Sequence, residues 1–248
     1  MAHPPPAPSP DDEDLLAVLA AGISLRSPSP ELRERVVRAG TPQPLTFLER
    51  GQGIWLPSAD ASVATKELYC DSGDRLATRL VRLGDGAPLP VAALPGLRTV
   101  VVVQGALASP VMSLETGDSM ELVGERQDWC ARGDTIVLEL GTGHFGGHEP
   151  HDEEGSAPWT EIGPGLRARL MQAGVRELMV VDAEPAATLS EHEHAGIEEL
   201  FVIRGSCEVQ GRWMHVGDYH RAMPGSHHDI TRAGSEGCVL VSSVRQLG

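Results

Sequence analysis

The chain has few aromatic rings and few basic residues. Phe, Trp and Tyr make up 4% of its 248 residues. Against 35 acidic residues stand only 20 Lys and Arg, giving a net charge of −15. Counterion release from phosphates needs a basic surface, so nucleic acid is not an expected partner, and neither is an anionic membrane. A basic protein partner is not opposed by this charge. No apolar run approaches the ~18 residues of a bilayer-spanning helix. The opening Met1-Ala2-His3-Pro4-Pro5-Pro6 has no Lys or Arg before an apolar stretch, so it does not read as a secretory leader. Cysteine is sparse and scattered, with Cys70, Cys130, Cys207 and Cys238 forming no Cys-x-x-Cys. Each lies in or beside a strand-like segment, which fits reduced, packed thiols in a cytoplasmic protein.

What the chain does have is a dense ligand cluster. His192-Glu193-His194-Ala195-Gly196-Ile197-Glu198 carries two histidines at i and i+2, then an acid four residues on. On a β-strand, i and i+2 point to the same side, so the two imidazoles converge on one point. A short turn at Ala195-Gly196 lets Glu198 reach that point. Pro224-Gly225-Ser226-His227-His228 supplies a fourth candidate, His228. Three nitrogens and one oxygen are a ligand set for a mononuclear transition metal. This mixture suits Fe, Mn, Ni, Co, Cu or Zn and does not choose among them. Four protein ligands leave one or two positions for water, dioxygen or a small bidentate molecule.

The spacing His192-x-His194-x3-Glu198-x6-Gly205, followed by Gly217-x6-Pro224-x3-His228, resembles the two signature motifs of the cupin superfamily. The paired acids Glu198-Glu199 and the Pro-Gly-Ser-x-His segment are similar to the cupin domain of ChrR-type anti-sigma factors. That branch also includes small-molecule dioxygenases of the diketone-cleaving kind. The resemblance runs from about residue 165 to 245. It implies an all-β chain built of cupin barrels (double-stranded β-helix, or jelly roll). It also implies His192, His194, Glu198 and His228 as ligands of one divalent transition metal per chain.

The first half repeats the second with a shift of one hundred. Gly96 falls on Gly196, Gly105 on Gly205 and Gly117-Asp118 on Gly217-Asp218, while Val100 to Val103 matches Leu200 to Ile203. The expected architecture is therefore two tandem barrels, a bicupin. Residues 1–50 form a Pro-rich tail and two short helices, one after Asp11 to Asp14 and one from Ser29-Pro30 to Gly40. Residues 51–141 form a barrel without metal ligands, 142–157 a linker and 158–248 the metal-binding barrel. In the first copy Ala92, Leu94, Arg98 and Asp128 stand where His192, His194, Glu198 and His228 stand in the second. Ala and Leu have no lone pair to offer and Arg is fixed positive. Arg98 remains of interest, because its fork fits a carboxylate. The linker carries His144, His148 and His151, which read as a solvated loop.

Two functions follow. In one, the chain is a metal-dependent oxygenase or isomerase acting on a small oxygenated molecule, with Glu199 or His220 as candidate catalytic groups for proton transfer. In the other, it is a non-catalytic sensor related to anti-sigma factors. The zinc motif through which such factors hold their metal (a His, then His-x3-Cys-x2-Cys) is absent, since His3 is the only His before His144 and Cys70 is the first Cys. A sigma factor is accordingly not expected as a partner. A homodimer is compatible with the chain. His227 should face away from His228 if that segment is extended.

Overall fold

Valine and isoleucine runs broken by Gly, Pro and Asp direct the chain into strands. The computed structural model describes residues 45–71, 76–91, 96–123, 128–142, 158–172 and 176–245. The two expected helices, the linker histidines, Ala92 and Leu94 lie outside the described residues. Residues Gln43–Gly248 form one compact unit. Its strands are β1 (Leu45–Leu48), β2 (Leu56–Pro57), β3 (Val63–Asp71), β4 (Leu76–Leu83), β5 (Leu97–Ala108), β6 (Ser113–Glu115), β7 (Ser119–Val123) and β8 (Cys130–Thr142). They continue with β9 (Thr160–Gly163), β10 (Leu166–Gln172), β11 (Arg176–Ala183), β12 (Thr188–Leu189), β13 (His192–Glu193), β14 (Ile197–Val209), β15 (Arg212–His215), β16 (Tyr219–Ala222), β17 (His227–His228) and β18 (Thr231–Arg245). No helix occurs among the described residues, and none is long and apolar enough to cross a membrane.

One sheet runs β2-β3-β4-β8-β5-β6 with β7 also on β5; the other runs β1-β16-β14-β18-β11-β10-β9, with β15 on β14 and β12 on β18. A separate ribbon pairs β13 with β17. The long central strands are apolar on both sides because both sides are buried. Val100 and Val102 of β5 pack with Val81, Leu83, Trp129 and Val137 in one core. Leu200 and Val202 of β14 pack with Leu166, Cys207, Met214 and Leu240 in another. The alternate residues of the same strands, Val101 and Phe201 among them, meet in a third layer with Leu80, Leu138, Leu178, Ile203 and Val241. That middle layer draws on both sheets and joins them.

The repeat survives into the backbone. Thr99 pairs with Glu121 and Glu199 with Arg221, the same register shifted by one hundred. The Val102 N–H donates to Asp118 O at 2.9 Å and the Val202 N–H to Asp218 O at 3.1 Å. Both copies bulge at the same place, between Val102 and Gln104 and between Val202 and Arg204. The ungapped shift then fails. The Leu89 N–H bonds Trp129 O, whereas Leu189 pairs with Thr231. The shift is 102 here, so Asp128 aligns with Ile230 and not with His228. Asp128 is exposed and is not the counterpart of His228.

The first boundary also moves. Leu45-Thr46-Phe47-Leu48 belongs to the second sheet rather than to an N-terminal extension, since Thr46 pairs with Arg221 and Phe47 with His220. The reason is its own alternation: Phe47 packs against the β14 core and Leu48 against the shared layer. β8 likewise runs on through Thr142.

Gly205 tests this packing directly. Its φ is +71° and an added Cβ would meet Gly237 O at 2.1 Å. Gly211 has a similar φ of +69° with nothing within 4 Å. Gly211→Ala should cost only the ~1–2 kcal/mol of left-handed backbone, and Gly205→Ala clearly more. Melting temperatures that fall equally in the two variants would contradict the close strand approach.

Candidate metal centre

The two motifs meet through main-chain hydrogen bonds before any side chain is considered. In the β13–β17 ribbon His192 pairs with His228 and Glu193 with His227. The His194 N–H donates to Ser226 O at 3.0 Å, and the Gly225 N–H to His194 O at 2.8 Å. β14 begins at Ile197, so Glu198 is already strand and is held between Ala222 of β16 and Val244 of β18. Strand alternation does the rest. His228 is buried and its neighbour His227 exposed. Glu198 lies on the side of Leu200 and Val202, and Glu199 on the side of Phe201 and Ile203.

The four expected ligands come together. His192, His194, Glu198 and His228 each present a donor atom, all within 4.8 Å of one another. Around Glu198 Oε2 stand His228 Nδ1 at 3.4 Å, His194 Nδ1 at 3.6 Å and His192 Nε2 at 3.9 Å. These exceed hydrogen-bond length, and Glu198 Oε2 and His194 Nε2 are buried without a hydrogen-bond partner. A buried carboxylate oxygen left unbonded is costly unless something else satisfies it. A divalent cation does so, and the mixed nitrogen and oxygen set suits a first-row transition metal. The residues present fit such an ion.

Electrostatics point the same way. Burial lowers the pKa of His194, and it lowers that of His228 to about 4, keeping both rings neutral as coordination requires. His192 is the exception, raised by the neighbouring Glu198 carboxylate. Burial pushes Glu198 upward, but the surrounding imidazoles, His192 foremost, outweigh it and hold the carboxyl below its ordinary value.

The two expected proton-transfer residues are placed differently. Glu199 is not brought to the cluster. It is buried in the shared layer, where it accepts from Tyr219 Oη at 2.6 Å and pairs with Arg176. Arg176, 1% exposed, also donates to Ser243 Oγ and, across the two halves, to Thr78 Oγ1 at 2.9 Å. Burial beside Glu199 raises the Tyr219 pKa well above its ordinary value. Parity explains the placement, because consecutive strand residues point to opposite faces of the sheet. His220 does reach the cluster, fully buried, with Nε2 2.8 Å from His228 Nε2 and Nδ1 2.8 Å from Thr46 O. Burial lowers its pKa to about 4.

Sequence reasoning missed Thr46 and Ser190, whose carbonyl oxygens bond His220 and His192. A backbone carbonyl carries no residue-type signal that could have shown it. Sequence reasoning also offered Arg98 to an organic carboxylate. It already serves an internal one: Arg98, 1% exposed, donates to Glu139 Oε2 at 2.9 Å and to Pro90 O at 2.7 Å, and Arg79 holds the same Glu139.

Residues 152–248 match the family model of the ChrR Cupin-like domain. No curated protein matches in sequence. Similar solved structures include a candidate dioxygenase from Nostoc punctiforme (TM-score 0.67, 13% identity, 83% of this chain and 84% of that one). A cupin 2 conserved barrel domain protein from Leptotrichia buccalis gives a TM-score of 0.55 at 14% identity, over 77% of this chain and 92% of that one. Oxalate decarboxylase from Lactobacillus farciminis, in its formate complex, gives 0.59 at 11% identity, over 84% and 87%. At these identities the likeness is one of fold.

The titration of the site yields a stability test. His220 and His228 sit near 4 in the fold against 6.5 for the free ring. As pH falls the unfolded chain takes up these protons first, so their stabilisation is full above about 6.5 and is lost toward 4. The lowered Glu198 acts in the same sense only below about 4.5, and the raised His192 opposes it. The chelator-treated protein should therefore lose on the order of a few kcal/mol between pH 6.5 and 4. A melting temperature that stays flat over that window would show that these rings titrate as free histidines.

Proposed function

The chain has the cupin fold, with a ChrR-like cupin over residues 152–248, and on that basis we propose that it is a tandem bicupin holding one divalent transition metal in its second barrel. His192, His194, Glu198 and His228 hold the ion. The function is that of a metal-dependent oxygenase or isomerase acting on a small oxygenated molecule. One observation carries this reading: three imidazole nitrogens surround a buried carboxylate oxygen that has no hydrogen-bond partner among the described residues. A bound ion supplies Lewis-acid polarisation of a substrate oxygen or a water, and with iron also dioxygen chemistry. The protein residues fix the ligand directions and keep the rings neutral. The tandem arrangement is supported by the repeated register and bulge of the two sheets. In the first copy a cation, Arg98, fills the place of Glu198 and is neutralised by Glu139, which argues against a metal there.

A second reading, a metal-bearing sensor without turnover, is favoured by the ChrR-like match itself. Elemental analysis of the purified protein followed by an oxygen-uptake screen separates the two. Dioxygen or substrate consumption that depends on the bound metal supports the enzyme; tight metal binding with no turnover across diketones and small hydroxy acids supports the sensor.

The metal content should be close to one ion per chain after dialysis; two retained equivalents would contradict the assignment of the first barrel. His194→Ala should lose most of the ion and His227→Ala should keep it. The two adjacent acids should separate by effect. Glu198→Gln should release the metal with little change in the stability of the metal-free form. Glu199→Gln should retain the metal but lose on the order of 3–5 kcal/mol of stability, because Arg176 is left buried without its partner. Metal loss in Glu199→Gln with retention in Glu198→Gln would exchange the two faces of β14 and remove the proposed site.

A further inference from the structure

We propose that His220 is a positioning residue: it fixes which nitrogen of His228 carries the proton, so that the Nδ1 lone pair of His228 faces Glu198 and the metal. This rests on the metal-site reading above. The argument begins at β1. Thr46 O lies 2.8 Å from His220 Nδ1, and a carbonyl only accepts, so His220 carries its proton on Nδ1. The ring is fully buried, and a second proton would make it a buried cation without a carboxylate in hydrogen-bond contact. His220 Nε2 is therefore a bare acceptor.

His228 Nε2 stands 2.8 Å from it and must donate. A neutral imidazole has one proton. His228 Nδ1 is thus left bare, 3.4 Å from Glu198 Oε2 at the centre of the cluster. The same logic operates once more in simpler form. His192 Nδ1 lies 3.0 Å from Ser190 O, which leaves His192 Nε2 to face Glu198. One ligand is oriented by a carbonyl directly, the other by a carbonyl acting through a second imidazole.

Two further contacts hold the relay. Phe47, which pairs with His220 in the strand register, lies against its ring with centroids 4.1 Å apart. Arg221 donates to Thr46 Oγ1 at 3.3 Å. A strand at residues 45–48, far from the motifs in sequence, thereby sets the chemistry of a ligand at 228. Outer partners of metal-bound histidines commonly act in this way, and their loss typically costs 10–100-fold in metal affinity.

The test uses the full chain. Long-range 1H–15N correlation spectra of the chelator-treated protein at pH 7.5 report the proton position of each ring without any metal or mutation. His228 should be in its Nε2–H form and His220 in its Nδ1–H form. His220→Phe keeps the shape and removes the acceptor, so His228 should lose its single form. His220→Gln returns an acceptor and should restore it. Zn2+ affinity by competition with a chromophoric chelator should fall about 10- to 100-fold in His220→Phe and largely recover in His220→Gln. A Co2+ absorption spectrum should be the same for the parent and His220→Gln. The proposal is overturned if His228 carries its proton on Nδ1 in the parent protein, or if the Phe and Gln variants bind Zn2+ alike. It is also overturned if His220→Gln loses the ion as fully as His228→Ala, which would make His220 a ligand. Correct proton positions with no metal bound would sink the metal reading and leave the Thr46–His220–His228 orientation standing.

Discussion

Strand β14 carries the constraint on which the rest depends. Its pleat sends Glu198 to one side and Glu199 to the other, and both sides are buried. A carboxylate inside needs cations, and each acid finds its own kind. Glu198 faces three imidazoles, at 3.4, 3.6 and 3.9 Å. Glu199 faces Arg176 and Tyr219, partners the chain provides. A register slip of one residue would exchange them, giving the metal site an acid already taken and the shared layer one with no partner. The apolar neighbours on each face hold that register, because the slip would also move Phe201 and Ile203 out of the layer they fill.

Charge burial then distinguishes the two halves. Buried ion pairs are poor sources of net stability, but breaking one is expensive. The Arg98–Glu139–Arg79 group in the first half and the Arg176–Glu199 group in the middle layer each pair their carboxylate with a guanidinium. Thr78, of the first half, contributes to the second group. In the second-half cluster the carboxylate of Glu198 has imidazoles around it and no guanidinium. The place of Glu198, taken by a cation in one copy and by an anion among imidazoles in the other, decides whether an external cation has a function there.

Much of this could be read from residue order. The four ligands, the shift-by-one-hundred repeat and the separation of Glu198 from Glu199 all follow from local spacing and period-2 alternation, and spacing alone carries such signals. The strand-like runs around Val100, Ile136, Val180, Phe201 and Val239 fall in strands as expected. Other readings needed coordinates. The shift loses its register in the loops after β7 and β16, so Asp128 does not fall on His228. Leu45–Leu48 passed as the end of an extension, because four residues with no turn signal of their own do not reveal a partner at 219–222.

The sequence by itself determined which four side chains form the candidate cluster and how the strands alternate, since both depend on residues close together in the chain. It also determined what the first copy lacks at Arg98. Only the tertiary structure decided how long-range partners complete those residues. Glu199 meets Arg176, Arg98 meets Glu139, and His228 meets a carbonyl at residue 46 through His220. The physical reason is that a hydrogen bond from a buried side chain goes to whichever acceptor the packed sheets bring within about 3 Å. That acceptor is often a backbone oxygen, and every residue type carries one.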